Sequence, residues 1–370
     1  MKFVDEFRDK EVAQTILARI HEAAGRLQKP VRLMEVCGTH TVALFRHGIR
    51  ALMPEQVRLL SGPGCPVCVT PTAEIDAAIS LARQPQTVLA TFGDMMRVPG
   101  SESTLLKERA AGRQVLVVYS PLDALKAAQK RPDHEVVLFG VGFETTAPLV
   151  ASTALQAQQR GLRNFSVYSA HKLVPPALAA LVAADDVRVD GFICPGHVST
   201  VIGSQPYEFI PRDHGRGCVI AGFEPLDVLE AIWRLLRQIE LQSPQVEIAY
   251  RRAVRPEGNP EALKRLSQAF VTVDAEWRGL GTIRRSGLEF REELSAHNAK
   301  ERFDIQTRPV ADPPGCLCGE VLRGAREPED CAHFGTTCTP EQPVGPCMVS
   351  SEGTCAAHYR YGEAGRRVEA

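Results

Sequence analysis

Eleven cysteines stand in this chain of 370 residues, and their spacing sorts them by the chemistry they can do. Six of them, Cys316, Cys318, Cys331, Cys338, Cys347 and Cys355, fall in one Gly- and Pro-rich stretch. Four thiolates can hold zinc or an iron–sulfur cluster. Zinc sites usually pair cysteines about two to four residues apart, and this stretch contains no Cys-x-x-Cys. Taken as Cys318, Cys331, Cys338 and Cys355, the gaps are 12, 6 and 16 residues, which suits a cluster wrapped by loops better than a zinc ribbon. The spacing alone leaves open which four of the six bind. Incidental buried thiols are the plain alternative.

Three further motifs carry candidate chemistry. In GPGCPVC, Cys65 and Cys68 have the spacing of a reversible dithiol. Pro66 stiffens that turn, and Gly62 and Gly64 let the backbone come close to something. Zinc there requires a second Cys pair, so redox chemistry is the preferred reading and a structural turn the alternative. In EVCGTHT, Cys37 ends an apolar run and His40 follows. Such a pair can bind iron, nickel or zinc, act as nucleophile and base, or be a buried thiol beside a capping histidine. A helix starting there is expected to lower the Cys37 pKa. FGVGFETT has Gly140 and Gly142 but lacks the complete dinucleotide fingerprint. Glu144, Thr145 and Thr146 are therefore expected to line a cleft or cap a helix. His197, in CPGHVST, is a candidate for the same cleft, with a structural histidine as the equal alternative.

These residues need a frame. Eight apolar, β-branched-rich runs follow a first amphipathic helix on which Val12, Ile16, Ile20 and Leu27 are expected to share a face. The runs are VRLMEV, VRLLS, TVLATF and VLVVYS, then EVVLFGVGF, FSVYSA, GFICPG and CVIAGF. Alternation of such runs with helical stretches predicts buried parallel strands in an α/β fold. The two sets of four resemble each other. YSPLDALKAA matches FEPLDVLEAI, and SGPGCPVC stands where SAHKLVPP stands. Both Pro-Leu-Asp segments suit a helix entrance. The reading is two similar α/β units, with a crossover of the last strand or helix of each half left open. Loops at the carboxyl ends of parallel strands then place Cys37, His40, Cys65, Cys68, Glu144, His171, Cys194 and His197 around one cleft. The Cys-rich stretch has too few periodic apolar residues for a core of its own and is expected to need a metal staple.

Composition narrows the class. The formal net charge of −1 offers no surface for nucleic acid. No run reaches the roughly 18 apolar residues of a membrane span, and MKFVDEFRDK lacks the apolar segment of a signal peptide. A cytoplasmic protein is expected, in which clustered thiols serve metal or redox use.

The motifs MEVCGTHT, GPGCPVCVTP, TFGDMMRVPGS, FGVGFETTAP, CPGHVSTVIG, AGFEPLD, EWRGLG and CGEVLRG…CAHFGTTC…MVSSEGTCAA together resemble the hydrogenase maturation protein HypD family along essentially the whole chain. The resemblance implies a scaffold on which the iron group of nickel–iron hydrogenases, carrying two cyanides and one carbon monoxide, is built. It implies a small chaperone, HypC, and cyanide delivered from HypE. It also implies two similar α/β domains facing a central cleft and a C-terminal domain with a 4Fe-4S cluster. Matched by motif, the iron-handling cysteine is Cys37, with His40 as ligand, orienter or proton donor. The redox pair is Cys65 and Cys68, and the cluster ligands are Cys318, Cys331, Cys338 and Cys355. The expected divisions are an N-terminal helix (1–29), a first α/β domain (30–132), a second (133–245) and the iron–sulfur domain (246–370). The competing readings are a stand-alone iron–sulfur dithiol oxidoreductase acting on a small molecule, and a partner-binding protein closed by zinc.

Overall fold

A computed structural model describes residues 5–184, 187–303, 305 and 310–362. All eight expected apolar runs form strands: β1 (Val31–Glu35), β2 (Val57–Ser61), β3 (Thr87–Thr91), β4 (Val115–Val117), β5 (Glu135–Gly140), β6 (Phe165–Ser169), β7 (Gly191–Pro195) and β8 (Gly217–Ala221). A ninth, β9 (Val246–Ile248), extends the row past residue 245, and β10 (Phe270–Trp277) pairs with β11 (Gly281–Phe290) as an antiparallel hairpin. The other pairings are parallel, and the fold is α/β.

The strands are shared out in a way that the order of the runs does not reveal. One sheet has the order β2-β1-β7-β8-β9 and the other β4-β3-β5-β6. Mapping β1, β2, β7 and β8 onto β5, β6, β3 and β4 superposes the two orders. The resemblance between the halves therefore appears as two similar sheets, each built from two strands of either half. Residues 30–132 and 133–245 each give strands to both sheets. Leu33 of β1 lies beside Gly191 of β7, and Thr87 of β3 beside Glu135 of β5. These strands are central in their sheets and their apolar side chains are fully buried, as parallel strands covered on both faces require.

The helix Lys10–Gly25 is capped by Asp9, whose carboxylate accepts from the Glu11 and Val12 amides. It packs on the helix Pro225–Glu240, with Arg8–Glu224 and Arg26–Glu240 ion pairs at the two ends. Ile20, Ala23 and Ala24 are buried, whereas Val12 is exposed. At about 100° per residue Val12 sits roughly 80° from Ile20, so Ala13 takes its expected place in the seam. Both Pro-Leu-Asp segments start helices, and Asp123 and Asp227 each close a capping box.

The Cys-rich stretch docks on the first sheet. Its short helices are Cys318–Leu322, Pro346–Val349 and Thr354–Tyr361. Cys318, Leu322 and Cys347 share a core cluster with Met34, Leu60, Cys65 and Cys68. The stretch thus borrows its core from the strands, as its composition requires. No helix among the described residues is long and apolar enough to cross a membrane.

Candidate metal and thiol site

Cys37 lies between β1 and the helix Gly38–Arg46, at the N-cap position. Its carbonyl accepts from the His40 and Thr41 amides. Its own amide donates to Glu35 Oε2 at 3.0 Å, and the Thr41 hydroxyl donates to Glu35 Oε1. Glu35 is 1% exposed, and burial pushes its pKa up to about 7. This carboxylate fixes the turn that presents Cys37. Contrary to the expectation from the helix N-terminus, burial pushes the Cys37 thiol up to about 12, and the Glu352 carboxylate adds to the effect. Desolvation outweighs the helix dipole because the thiol is only 7% exposed.

The glycines of GPGCPVC have a geometric reason. A Cβ on Gly64 would lie 2.1 Å from the Cys37 nitrogen. The Gly64 carbonyl accepts from the Gly38 amide at 3.1 Å. The close approach anticipated for this loop is therefore to the Cys37 backbone itself. Cys65 then caps the short helix Pro66–Val69, its Sγ accepting from the Cys68 amide at 3.4 Å. Cys68 is fully buried, and its thiol donates to the Pro346 carbonyl at 3.9 Å. Burial raises the Cys68 pKa well above its ordinary value.

From Cys68 the thiols continue. Cys347 is in side-chain contact with Cys68, Cys318 and Cys355. The Cys318 and Cys347 sulfurs are 2.9 Å apart. All six tail cysteines line one small cavity of about 20 Å³, with Leu317, Val321, Phe334 and Met348 as apolar walls. The Val344 amide donates to Cys338 Sγ at 3.3 Å. Six soft donors in an apolar shell, one already receiving a backbone N–H, fit an iron–sulfur cluster by donor chemistry and surroundings. His333, the one imidazole on that wall among the described residues, is engaged with Thr337 and Pro314.

The carboxyl ends of the two sheets meet at a cleft of about 220 Å³. Cys37 and His197 line it together with Thr39, Pro66, Thr145 and Thr146. His40 stands behind this wall, fully buried. Its Nε2 is 2.8 Å from the Gly222 carbonyl and must be the donor, leaving Nδ1 bare and without a partner among the described residues. Burial holds His40 down to about 4, so it is neutral. Phe223 is sandwiched between His40 and His197, at ring-centre distances of 4.9 and 3.8 Å.

Of the eight residues assigned to the cleft from sequence, Cys37 and His197 line it, His40, Cys65 and Cys68 lie behind its wall, and the other three lie elsewhere. Glu144 lines a separate apolar cavity of about 700 Å³ with Leu173, Pro175 and Pro176. Its Oε1 accepts from the Val174 amide at 3.0 Å. Pro175 and Pro176 have no N–H, so Val174 carries the first amide of that helix needing an acceptor. Cys194 is fully buried against Cys218 and Tyr207. His171 lines a third, polar cavity.

Sequence reasoning missed Glu352. It lines the Cys37 cleft, and its Oε1 accepts from the Thr39 hydroxyl at 2.7 Å. A Cβ on Gly38 would meet the Glu352 carbonyl at 2.5 Å, so this segment also docks through a glycine. Only its position within MVSSEGTCAA marked Glu352 out, and no spacing rule links that segment to Cys37.

A family model named HypD, described as "Hydrogenase formation hypA family", matches residues 11–362. The chain is 50% identical over 369 residues to the hydrogenase expression/formation protein HupD of Azotobacter chroococcum mcd 1, covering 98% of this chain and 97% of that protein. It is 48% identical over 370 residues to the hydrogenase maturation factor HypD2 of Bradyrhizobium diazoefficiens, with 98% and 97% covered. It is 44% identical over 366 residues to the hydrogenase maturation factor HypD of Escherichia coli K12, with 98% of each covered. Matches along nearly the full length, at these identities, place the chain in the HypD family of hydrogenase maturation proteins.

Proposed function

We propose that this protein is the scaffold and redox component on which the Fe(CN)₂CO group of nickel–iron hydrogenases is assembled in the cytoplasm. It would work with a HypC-type chaperone and receive cyanide from a HypE-type carrier. The observation that carries this reading is the continuity of thiols. Cys37 opens on the cleft, Cys65 and Cys68 pack behind it through Gly64, and Cys68 touches Cys347 of the tail cavity. Iron, as cargo, is held between Cys37 and a thiol of the chaperone. An iron cation at Cys37 favours the thiolate that burial otherwise suppresses. His197 and Glu352 face the cargo as proton-handling and orienting groups. Phe223 links His197 to the neutral His40 behind it. Glu144 supports the Thr145–Thr146 wall by anchoring the neighbouring helix.

Cleaving the S–C bond of a protein thiocyanate takes two electrons and one proton, and yields a thiol and cyanide. The Cys65–Cys68 dithiol supplies both electrons on closing to a disulfide and releases two protons, one of them in excess. A 4Fe-4S cluster, when bound, supplies electrons one at a time. Cys318, Cys331, Cys338 and Cys355 are one ligand set for it. The 2.9 Å approach of Cys318 to Cys347 favours a second set, in which these two form another dithiol and Cys316 takes the fourth position. Cluster absorbance retained in Cys318→Ser but lost in Cys316→Ser supports the second set, and the reverse supports the first.

The test of the function is infrared spectroscopy of the protein purified anaerobically with its HypC-type chaperone. Bands of iron-bound cyanide and carbon monoxide are expected, and Cys37→Ala should lose them. Normal bands in Cys37→Ala would sink the iron-ligand assignment.

A further inference from the structure

The polar cavity that receives His171 plays no part in the proposed assembly chemistry. It has a volume of about 230 Å³ and lies at the carboxyl end of β6, the edge where parallel sheets bind ligands. Its walls are the first turn of the helix Thr72–Arg83, the segment Ser169–Lys172, the β10–β11 hairpin and Lys300.

The groups on these walls are incompletely paired. Lys172 is 2% exposed. Its ammonium donates to the Glu276 carbonyl at 2.6 Å and lies 5.7 Å from the centre of the Trp277 ring, and no carboxylate pairs with it among the described residues. Burial holds its pKa down to about 8. Lys300 donates to Glu289 at 3.0 Å and has further N–H groups to give. Glu74 lies beside the Tyr168 hydroxyl, yet its buried Oε2 has no partner among the described residues. Ser169 gives its one hydroxyl proton to the Leu288 carbonyl at 2.8 Å. His171 Nδ1, 3.2 Å from Ser169 Oγ, must therefore be the donor, and the neutral ring is left with a bare Nε2 that has no partner among the described residues.

Ammonium donors and bare acceptors thus surround one small space. An anion alone would leave Glu74 unpaired, and a cation alone would face two lysines. The volume is below the roughly 300–1,000 Å³ of cofactor-sized sites. We propose that this cavity binds a small amino-carboxylate, with its carboxylate at Lys172 and Lys300 and its amine at Glu74.

The experiment is calorimetric titration and thermal shift of the full-length protein with glycine, alanine, serine and aspartate, with acetate and methylamine as single-charge controls. At least one amino acid is expected to bind saturably and raise Tm, while acetate and methylamine at equal concentration do not. Lys172→Met and Glu74→Gln should each weaken that binding by about tenfold to a hundredfold. Lys172→Met removes a buried charge and is expected to fold, which its own Tm checks. Glu74→Gln keeps the shape and serves as the second variant. The proposal is overturned if no amino acid binds, if acetate binds equally well, or if both variants keep wild-type affinity.

Discussion

The loops after β2 and β6 occupy equivalent places in the two sheets, and each leads into a helix with Pro at its start. One reads SGPGCPVC and the other SAHKLVPP. The first is pressed between Cys37 and the cysteine-lined cavity of the tail, and its groups are buried thiols. The second is pressed against the β10–β11 hairpin, and its groups are a neutral histidine and a buried lysine. The strand and turn are the same device in both places. The chemistry differs because a different segment is packed on top, and the buried groups must match what that segment supplies. Equivalent position in a duplicated frame therefore fixes where a loop stands but not what it does.

Four substitutions break or sharpen this comparison, in descending order of effect. Cys68→Ser should drop hydrogenase maturation in a complementation assay to background while leaving Tm within a few degrees, because a hydroxyl fits the space but cannot cycle. Normal maturation would remove the dithiol from the proposed chemistry. Gly64→Ala forces a Cβ into the Cys37 backbone and should destabilise by about 3 kcal/mol or more in urea unfolding. A neutral result would mean that the two loops are not held together by that contact.

Lys172→Met tests the second loop and should stabilise by about 2 kcal/mol at pH 7. The sign follows from the lowered pKa. Between about pH 8, the folded value, and 10.5, the ordinary one, the unfolded chain binds more protons, so wild-type stability gains with rising pH. The advantage of the variant should be full below that window and fade through it. A constant advantage would show that the lysine charge is not the cause. Glu144→Gln keeps an acceptor for the Val174 amide and, below about pH 4.5 where the carboxyl is neutral in both states, should change stability by less than about 1 kcal/mol. Burial raises the Glu144 pKa to about 7, so its contribution falls as pH rises from 4.5 through 7, and the variant should lose that part of the pH dependence in urea unfolding.

Much of the frame was legible in the sequence. The eight runs read as strands because continuous β-branched segments between turns suit little else. The missed strand β9, Val246–Ile248, is three residues long and only partly buried, too short to show a pattern. The Val12 assignment failed because a four-residue step drifts around a helix, while the alanines that fill the seam carry little apolar signal. Cys37 and His197 were placed in the cleft correctly because both follow strand ends directly. Glu144 was not, because a helix start with two prolines claims its carboxylate.

By itself the sequence determined the α/β class, the resemblance between two sets of four strands, the thiol groupings and the family, since each rests on local pattern or on motifs read in order. Only the tertiary structure decided that each sheet takes strands from both halves, that Glu352 reaches Cys37, that Cys347 joins Cys68 to the tail, and that His171 and Lys172 enclose a polar cavity. These are contacts between segments far apart in the chain. They are set by which buried surfaces fit together, and no local periodicity records that.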